Sequence, residues 1–568
     1  MPIETHVDIL KKINQYFLDF LVAPKSVCLC RGFGWQAARG LLPHPHPISL
    51  PRRRVLAERV EVSPAVNFKA EKEIYLQRFP SMKLSREAAF VIIFFILFLS
   101  AIYARISAQT MKILVHMTSE QEAYLKTRVL PIFERQNNIK IRIEEYLSYS
   151  EIADKLKESN DSIGLVKVPF VKEWELVDNG YIRSLNSFLS PVEKEEFRKV
   201  YACWWLGARD NEQYYIPRKF ETRILAYRPS KVAVAVDTWK SFTRAIDSSL
   251  EKINGRGLPK GYALESDPNE WDFFDLYVAG FVWAHTKFPD GIKSRIAQRG
   301  KLYDGTALTL IDRVFECGGD LNSLFNMNDK AVLDAFIWEA AYAWGGIYDS
   351  LMWTRQWTGQ QLWDGFLNGS IYLTFFTQLD CITVLNKEIG RENINKDVAA
   401  DFATAQMPRG CSIELDKAGQ ITRQGTHRVS TGGWWWGIPK RWNDPALAYK
   451  LARFITNHEN QIKECAEFGM VPVRYDVIKD PNALFFGGPL SEVFKTSYKQ
   501  IQTNDNFVLP SGGQIDTVTR CYLDAWKKII MEKNWANNPR LAPTPDHIFR
   551  DLKENYAPRI MKMMQESK

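Results

Sequence analysis

Three consecutive tryptophans, Trp434, Trp435 and Trp436, follow the pair Gly432-Gly433, and seventeen of the chain's eighteen tryptophans lie beyond residue 108. Indole faces stack on apolar C–H surfaces, while carboxylates, amides and guanidinium groups at a rim bind hydroxyls, so such a set suits recognition of a polyhydroxylated molecule. Strand side chains alternate between faces, so at least one of the three indoles must oppose the others. Trp434, next to the glycines, is the preferred stacking residue, with Trp435 a second candidate; burial of all three in a core is the alternative.

Bond-making machinery is harder to find. The chain has no Gly-x-Ser-x-Gly elbow, no phosphate-binding Gly-x4-Gly-Lys-Ser/Thr loop and no His-Glu-x-x-His zinc pair. No catalytic residue, cofactor or metal is therefore expected. Cys28 and Cys30 with His44 and His46 do not have the spacing of a structural zinc site.

The elements that must position these residues read as α/β. Residues 112–116 form a short apolar strand, and Ser119 with Glu122 makes a capping-box pattern ahead of Leu125, Val129, Ile132 and Phe133 at helical spacing. Ile139, Ile141 and Ile143 alternate with charged residues as a half-buried strand, and residues 162–168 form another. Strand, helix and strand in this order imply a parallel sheet covered by helices. Farther on, an apolar stripe from Val332 to Trp344 ends at Gly345-Gly346, and Asn443-Asp444-Pro445 caps a second striped helix. Both are expected to pack on a sheet, with Trp338, Tyr342 and Trp344 in the core.

An apolar run at residues 88–104, behind Lys83 and Arg86 and ahead of Ser107-Ala108, has the order of an export signal, which makes Met82 the expected start of translation. Residues 1–81 then read as a spurious or disordered leader and 82–108 as a cleaved signal, with retention as a membrane anchor the alternative. Of the formal charge of +8, five units belong to residues 1–81 and two to residues 82–108. The remainder is close to neutral, which excludes the concentrated basic face that nucleic acid requires. Six cysteines remain beyond the signal, and their spacing fixes no pairing.

Several segments occur in an order that resembles the extracellular solute-binding proteins of ATP-binding-cassette importers, the sugar-binding group that includes maltose-binding protein. They are the strand at 112–116; Leu130-Pro131-Ile132-Phe133-Glu134; Ile139-Lys140-Ile141; residues 177–185; Asp210 through Pro217; Leu225-Ala226-Tyr227; Asp237-Thr238-Trp239; residues 366–374; Gly432 through Lys440; and Gly469 through Arg474. Val166-Lys167-Val168-Pro169 and Arg228-Pro229-Ser230 depart from the family pattern.

The resemblance implies a two-lobed periplasmic-binding-protein fold whose hinge crossings let the lobes close over a ligand. Residues 109–225 with about 407–475 would form the first lobe, and about 226–406 with 476–568 the second. It places Glu221 and Arg223 at the first crossing, where residues two apart share a strand face; an internal salt bridge is the alternative. Tyr215, Arg218, Phe376 and Gln378 fall near the same hinge, His116 and Glu120 flank the loop after the first strand, and Trp271 would wall the cleft from the other lobe. The implied protein is a periplasmic monomer that binds a sugar or polyol and delivers it to the importer's permease subunits. A secreted carbohydrate hydrolase, needing paired carboxylates roughly 5–10 Å apart, and a membrane-anchored sensor domain are the competing readings.

Overall fold

A computed structural model of the protein describes residues 109–568, apart from 160, 290–294, 386–395, 469, 480–487, 504–508, 510–512, 534, 536–540 and 567–568. The expected leader, the export segment and the Cys28, Cys30, His44, His46 group lie outside the described residues. Nine strands organise the two lobes: β1 (Gln109–Val115), β2 (Ile139–Glu145), β3 (Ile163–Pro169), β4 (Tyr215–Glu221), β5 (Arg223–Tyr227), β6 (Arg295–Ala297), β7 (Ile371–Thr377), β8 (Ala403–Ala405) and β9 (Gly432–Gly437).

The first sheet has the order β2-β1-β3-β9-β4 and the second β8-β5-β7-β6. β1, β2 and β3 are parallel, as the strand-helix-strand reading requires, and β3 is buried along its whole length. β9 inserts antiparallel between β3 and β4. Between β4 and β5 a single residue, Thr222, carries the chain from one sheet to the other.

The return crossing differs from expectation. Met407, Cys411, Ile413, Leu415 and Val429, assigned above to the first lobe, instead pack with Trp271, Phe315 and Trp338 in the second. Backbone bonds from Arg409 to the Trp271 carbonyl (2.8 Å) and from Thr426 to the Glu316 carbonyl (2.7 Å) fix this excursion. The chain rejoins the first sheet only at β9. Beyond it, the helix Gly488–Thr503 packs on β5 and β8, and Gly513–Trp526 packs on the helix Asp304–Glu316.

Local signals and structure agree except where tertiary packing intervenes. Asp444 caps Pro445–Ile455 by accepting from Leu447 N, as expected. The first helix is capped one residue earlier than the capping-box pattern implies, by Thr118, whose hydroxyl accepts from Gln121 N. The helix Lys330–Trp344 is buried on nearly every side and packs against the helices Asp304–Glu316 and Pro545–Asn555 rather than presenting one stripe to a sheet. Its polar residues are accommodated because they are paired: the Glu339 carboxylate accepts from Tyr348 OH (2.6 Å), Gln298 Nε2 (2.7 Å) and Trp526 Nε1 (3.1 Å). Trp338 and Tyr342 are in the core, whereas Trp344 is only partly buried. All six cysteines among the described residues are buried free thiols.

In the first lobe Arg218 and Glu464 form an ion pair at 2.5 Å, both essentially without solvent contact, and the guanidinium also faces the Trp436 ring at 5.4 Å. Removing one partner leaves the other charge buried alone. Glu464→Ala is expected to lower stability by about 3–5 kcal/mol in urea denaturation; a loss below about 1 kcal/mol would show the pair to be dispensable.

Candidate functional site

In an open parallel sheet, ligands bind beyond the carboxyl ends of the strands, and here those ends carry aromatic side chains. His116 follows β1, Tyr146 and Tyr149 follow β2, and Phe170 follows β3. Trp434 arrives from β9, in register with Pro169 on one side and Lys219 on the other. Its approach depends on the preceding glycines: a Cβ on Gly432 would meet the Phe170 ring at 2.8 Å, and one on Gly433 the Lys219 carbonyl at 2.7 Å.

The rings form one cluster. His116 lies nearly parallel to Trp434 (centroids 5.9 Å, 19°) and to Tyr146 (5.5 Å, 26°), while Tyr149 meets Trp434 edge-on at 5.9 Å. Tyr149 is 39% exposed and Tyr146 is buried, its hydroxyl donating to the Lys167 carbonyl at 2.7 Å. The Lys167 ammonium sits 3.9 Å from the Trp434 ring centroid and donates to the His116 carbonyl at 2.6 Å. Burial, with Arg218 and Lys219 nearby, pushes its pKa well below the ordinary lysine range.

Lys219 is 5.9 Å from the same ring and pairs with Glu221 at 2.6 Å. Desolvation acts to raise the Glu221 carboxyl, but Lys219, Lys167 and the Trp434 indole outweigh it, and the pKa falls below the usual value. Glu221 therefore stands ionised at the rim, with a third of its side chain exposed.

The second lobe faces this cluster across the crossing. Arg223 forms a salt bridge with Asp312 and approaches Ser430 Oγ (3.4 Å), and Asp312 in turn accepts from Ser430 N (2.7 Å) and Oγ (2.6 Å). Arg299 pairs with Asp380 at 3.0 Å beyond the ends of β6 and β7. Asp380 also accepts from Trp363 Nε1 (2.9 Å) and Thr377 N (2.9 Å). Tyr303 neighbours Arg299, Asp380 and Arg223, and its hydroxyl pKa is raised, mainly by desolvation. Tyr149 feels carboxylates of both lobes: desolvation, then Glu221 and then Asp304 raise its pKa. Gln378 braces the crossing itself, accepting from Thr222 N (3.1 Å) and donating to the Phe220 carbonyl (3.1 Å).

Of the residues singled out from sequence, the structure brings together Trp434, His116 and Glu221, with Arg223 and Gln378 at the crossing. It separates the others. Trp435 lies in the first-lobe core against Phe220 (5.8 Å), on the opposite strand face from Trp434. Tyr215 is buried with its hydroxyl on the Glu173 carbonyl (2.6 Å), Arg218 is held by Glu464, and Phe376 packs on Phe366. Trp271 is a second-lobe core residue with Nε1 on the Glu265 carbonyl (2.7 Å). Glu120 lines an outer groove with Arg128, Asn457 and Lys463. Sequence reasoning missed Tyr146, Tyr149, Lys167, Lys219, Arg299 and Tyr303. Strand-end position marks Tyr146 and Tyr149, and alternation along β4 puts Lys219 on the face of Glu221.

Residues 130–484 match the family described as bacterial extracellular solute-binding protein, and the chain belongs to that family. Solved structures of similar fold include the cyclic α-maltosyl-1,6-maltose binding protein from Arthrobacter globiformis (14% identity, TM-score 0.53, covering 80% of this chain and 100% of that one). A maltodextrin-binding protein from L. casei without ligand is similar at 13% identity and TM-score 0.51, covering 80% of this chain and 99% of that one. A cyclo/maltodextrin-binding protein complexed with maltotetraose is similar at 14% identity and TM-score 0.52, covering 81% and 97%. At these identities the likeness is one of two-lobed α/β fold. No curated protein matches the chain in sequence.

The different surroundings of neighbouring indoles are measurable. Trp435→Ala is expected to cost about 3–5 kcal/mol in urea denaturation, as for a fully buried tryptophan, and Trp434→Ala clearly less. Equal losses would contradict the placement of Trp434 at an open edge.

Proposed function

We propose that this protein is exported and captures a sugar or related polyol between its lobes, delivering it unchanged to the permease subunits of an ATP-binding-cassette importer. The observation that carries the reading is the aromatic cluster of Trp434, His116 and Tyr149 at the carboxyl ends of the first sheet. It stands beside the single-residue crossing, with Glu221 ionised at its rim. The indole with the adjoining, exposed Tyr149 phenol and the His116 imidazole offers apolar ring surface, and the carboxylate offers acceptors for hydroxyls. Closure of the lobes would add Tyr303 and Arg299 from the opposite side. The maltodextrin-binding neighbours support a carbohydrate ligand.

The carboxylates here suit binding better than glycoside hydrolysis. Asp312 is held by Arg223 and Ser430, and Glu221, with its lowered pKa, is a poor proton donor to a leaving group. Export of residues beyond the 82–108 segment fits an extracellular solute-binding family.

A thermal-shift screen over sugars and polyols tests the reading. A true ligand at a hundred times its dissociation constant stabilises the folded state by about 2.7 kcal/mol, and Trp434→Ala is expected to remove most of that response. Normal binding by the variant, or recovery of a chemically altered solute, would refute the assignment.

A further inference from the structure

The Thr222 crossing divides both sheets in the same way. In the first, β9, β3, β1 and β2 lie on one side of β4, and their ends carry Trp434, Phe170, His116 and Tyr149. On the other side Val471 pairs with Phe220 of β4, and the Val473 carbonyl accepts from Ala202 N (2.9 Å), so Cys203 follows at that far edge. In the second sheet β7 and β6 lie on the site side of β5, and β8 lies on the far side. The helix Gly488–Thr503 packs on β5 and β8. It is tied there by the Thr496 and Thr404 hydroxyls (2.9 Å) and by Gln500 Oε1, which accepts from Met407 N (2.9 Å).

Gln502 of this second-lobe helix reaches the first lobe, its Nε2 donating to Cys203 Sγ at 2.8 Å. Cys203 is buried and holds a left-handed backbone (φ 53°), which a residue with a side chain adopts where its surroundings impose it. Burial pushes its thiol up to about 12, so the sulfur stays protonated and is a weak acceptor. The far side of the crossing is therefore in contact, while on the site side Tyr149 and Glu221 keep part of their surface in solvent. Two bodies that pivot at a short crossing cannot approach on one side without parting on the other.

Resting on the reading of this chain as one whose lobes close over a solute, we infer that the Gln502–Cys203 contact is a far-side clasp that holds the lobes open and must part for closure. It sets solute affinity without touching the solute. When the closed form is the one that retains a ligand, the apparent dissociation constant is the intrinsic one divided by the closed fraction. The clasp lowers that fraction, so loosening it tightens binding, the opposite of losing a contact residue such as Trp434.

Double electron–electron resonance without solute tests this, with maleimide-linked nitroxides on Leu147→Cys and Leu302→Cys, exposed positions beside Tyr149 and Tyr303. In that background Gln502→Ala is expected to shift the distances shorter, with at least threefold more of the closed population. Gln502→Cys, oxidised to bridge Cys203 before labelling, is expected to abolish that population, and reduction to restore it. Unchanged distances in both variants, or longer ones in Gln502→Ala, would overturn the inference. Sugars and polyols that stabilise the unlabelled protein are expected to bind Gln502→Ala at least threefold tighter in calorimetry. Equal or weaker binding would overturn the clasp and leave the carbohydrate reading standing. The expected distance shifts, with no saccharide bound by either protein, would uphold the clasp and refute the carbohydrate reading.

Discussion

The two lobes are joined at β4 and β5 by one residue, and a buried amide braces that joint. Gln378, at the carboxyl end of β7, accepts from Thr222 N and donates to the Phe220 carbonyl, so it grips the backbone on either side of the crossing. The amide therefore fixes where the first sheet ends and the second begins. That in turn sets Glu221 on one lobe and Arg223 on the other.

From this joint the organisation of the candidate site follows. The carboxyl ends of β1, β2, β3 and β4 lie along one edge of the first sheet, and antiparallel β9 brings its glycine-led start to the same edge. Glycines at 432 and 433 let the strand pass close to Phe170 and Lys219, which brings Trp434 to the rim while Trp435 and Trp436 enter the core. On the facing lobe, Arg223 and Arg299 are each neutralised by a carboxylate. Fixed ion pairs of this kind hold donors in place with little reorganisation when a ligand arrives.

Much of the architecture was legible because its signals are local. Alternating Ile139, Ile141 and Ile143 mark an edge strand, and Asp444-Pro445 marks a helix start, since capping and strand alternation depend on a few adjacent residues. Segment order then identified the family. The helix Lys330–Trp344 shows the limit: its apolar stripe implied one face on a sheet, but the helix is buried on nearly every side, and Glu339 is satisfied by Gln298, Tyr348 and Trp526. The return crossing was misplaced for a similar reason. Residues 407–429 carry no sheet signal of their own and are held by backbone bonds to Trp271 and Glu316.

The site was legible in part. Trp434, singled out by the glycine pair, His116, by the end of a strand, and Glu221, by the crossing that the resemblance implies, lie close together in the structure. Tyr215, Arg218 and Phe376 sit near the same crossing in sequence, but proximity along the chain does not reveal which face of a strand is covered. Arg218 turns inward because Glu464, more than two hundred residues later, supplies its partner. Lys167 stood out only as part of a departure from the family pattern; its place against the Trp434 ring depends on the pairing of β3 with β9, which the sequence does not show.

A crystal structure of the exported form with its solute bound tests the central claim most directly. The account predicts a sugar ring packed against Trp434 at the edge of the first sheet, with Tyr149 beside it and Tyr303 or Arg299 reaching it from the second lobe. A solute seated elsewhere on the molecule, with Trp434 and Glu221 untouched, would contradict it.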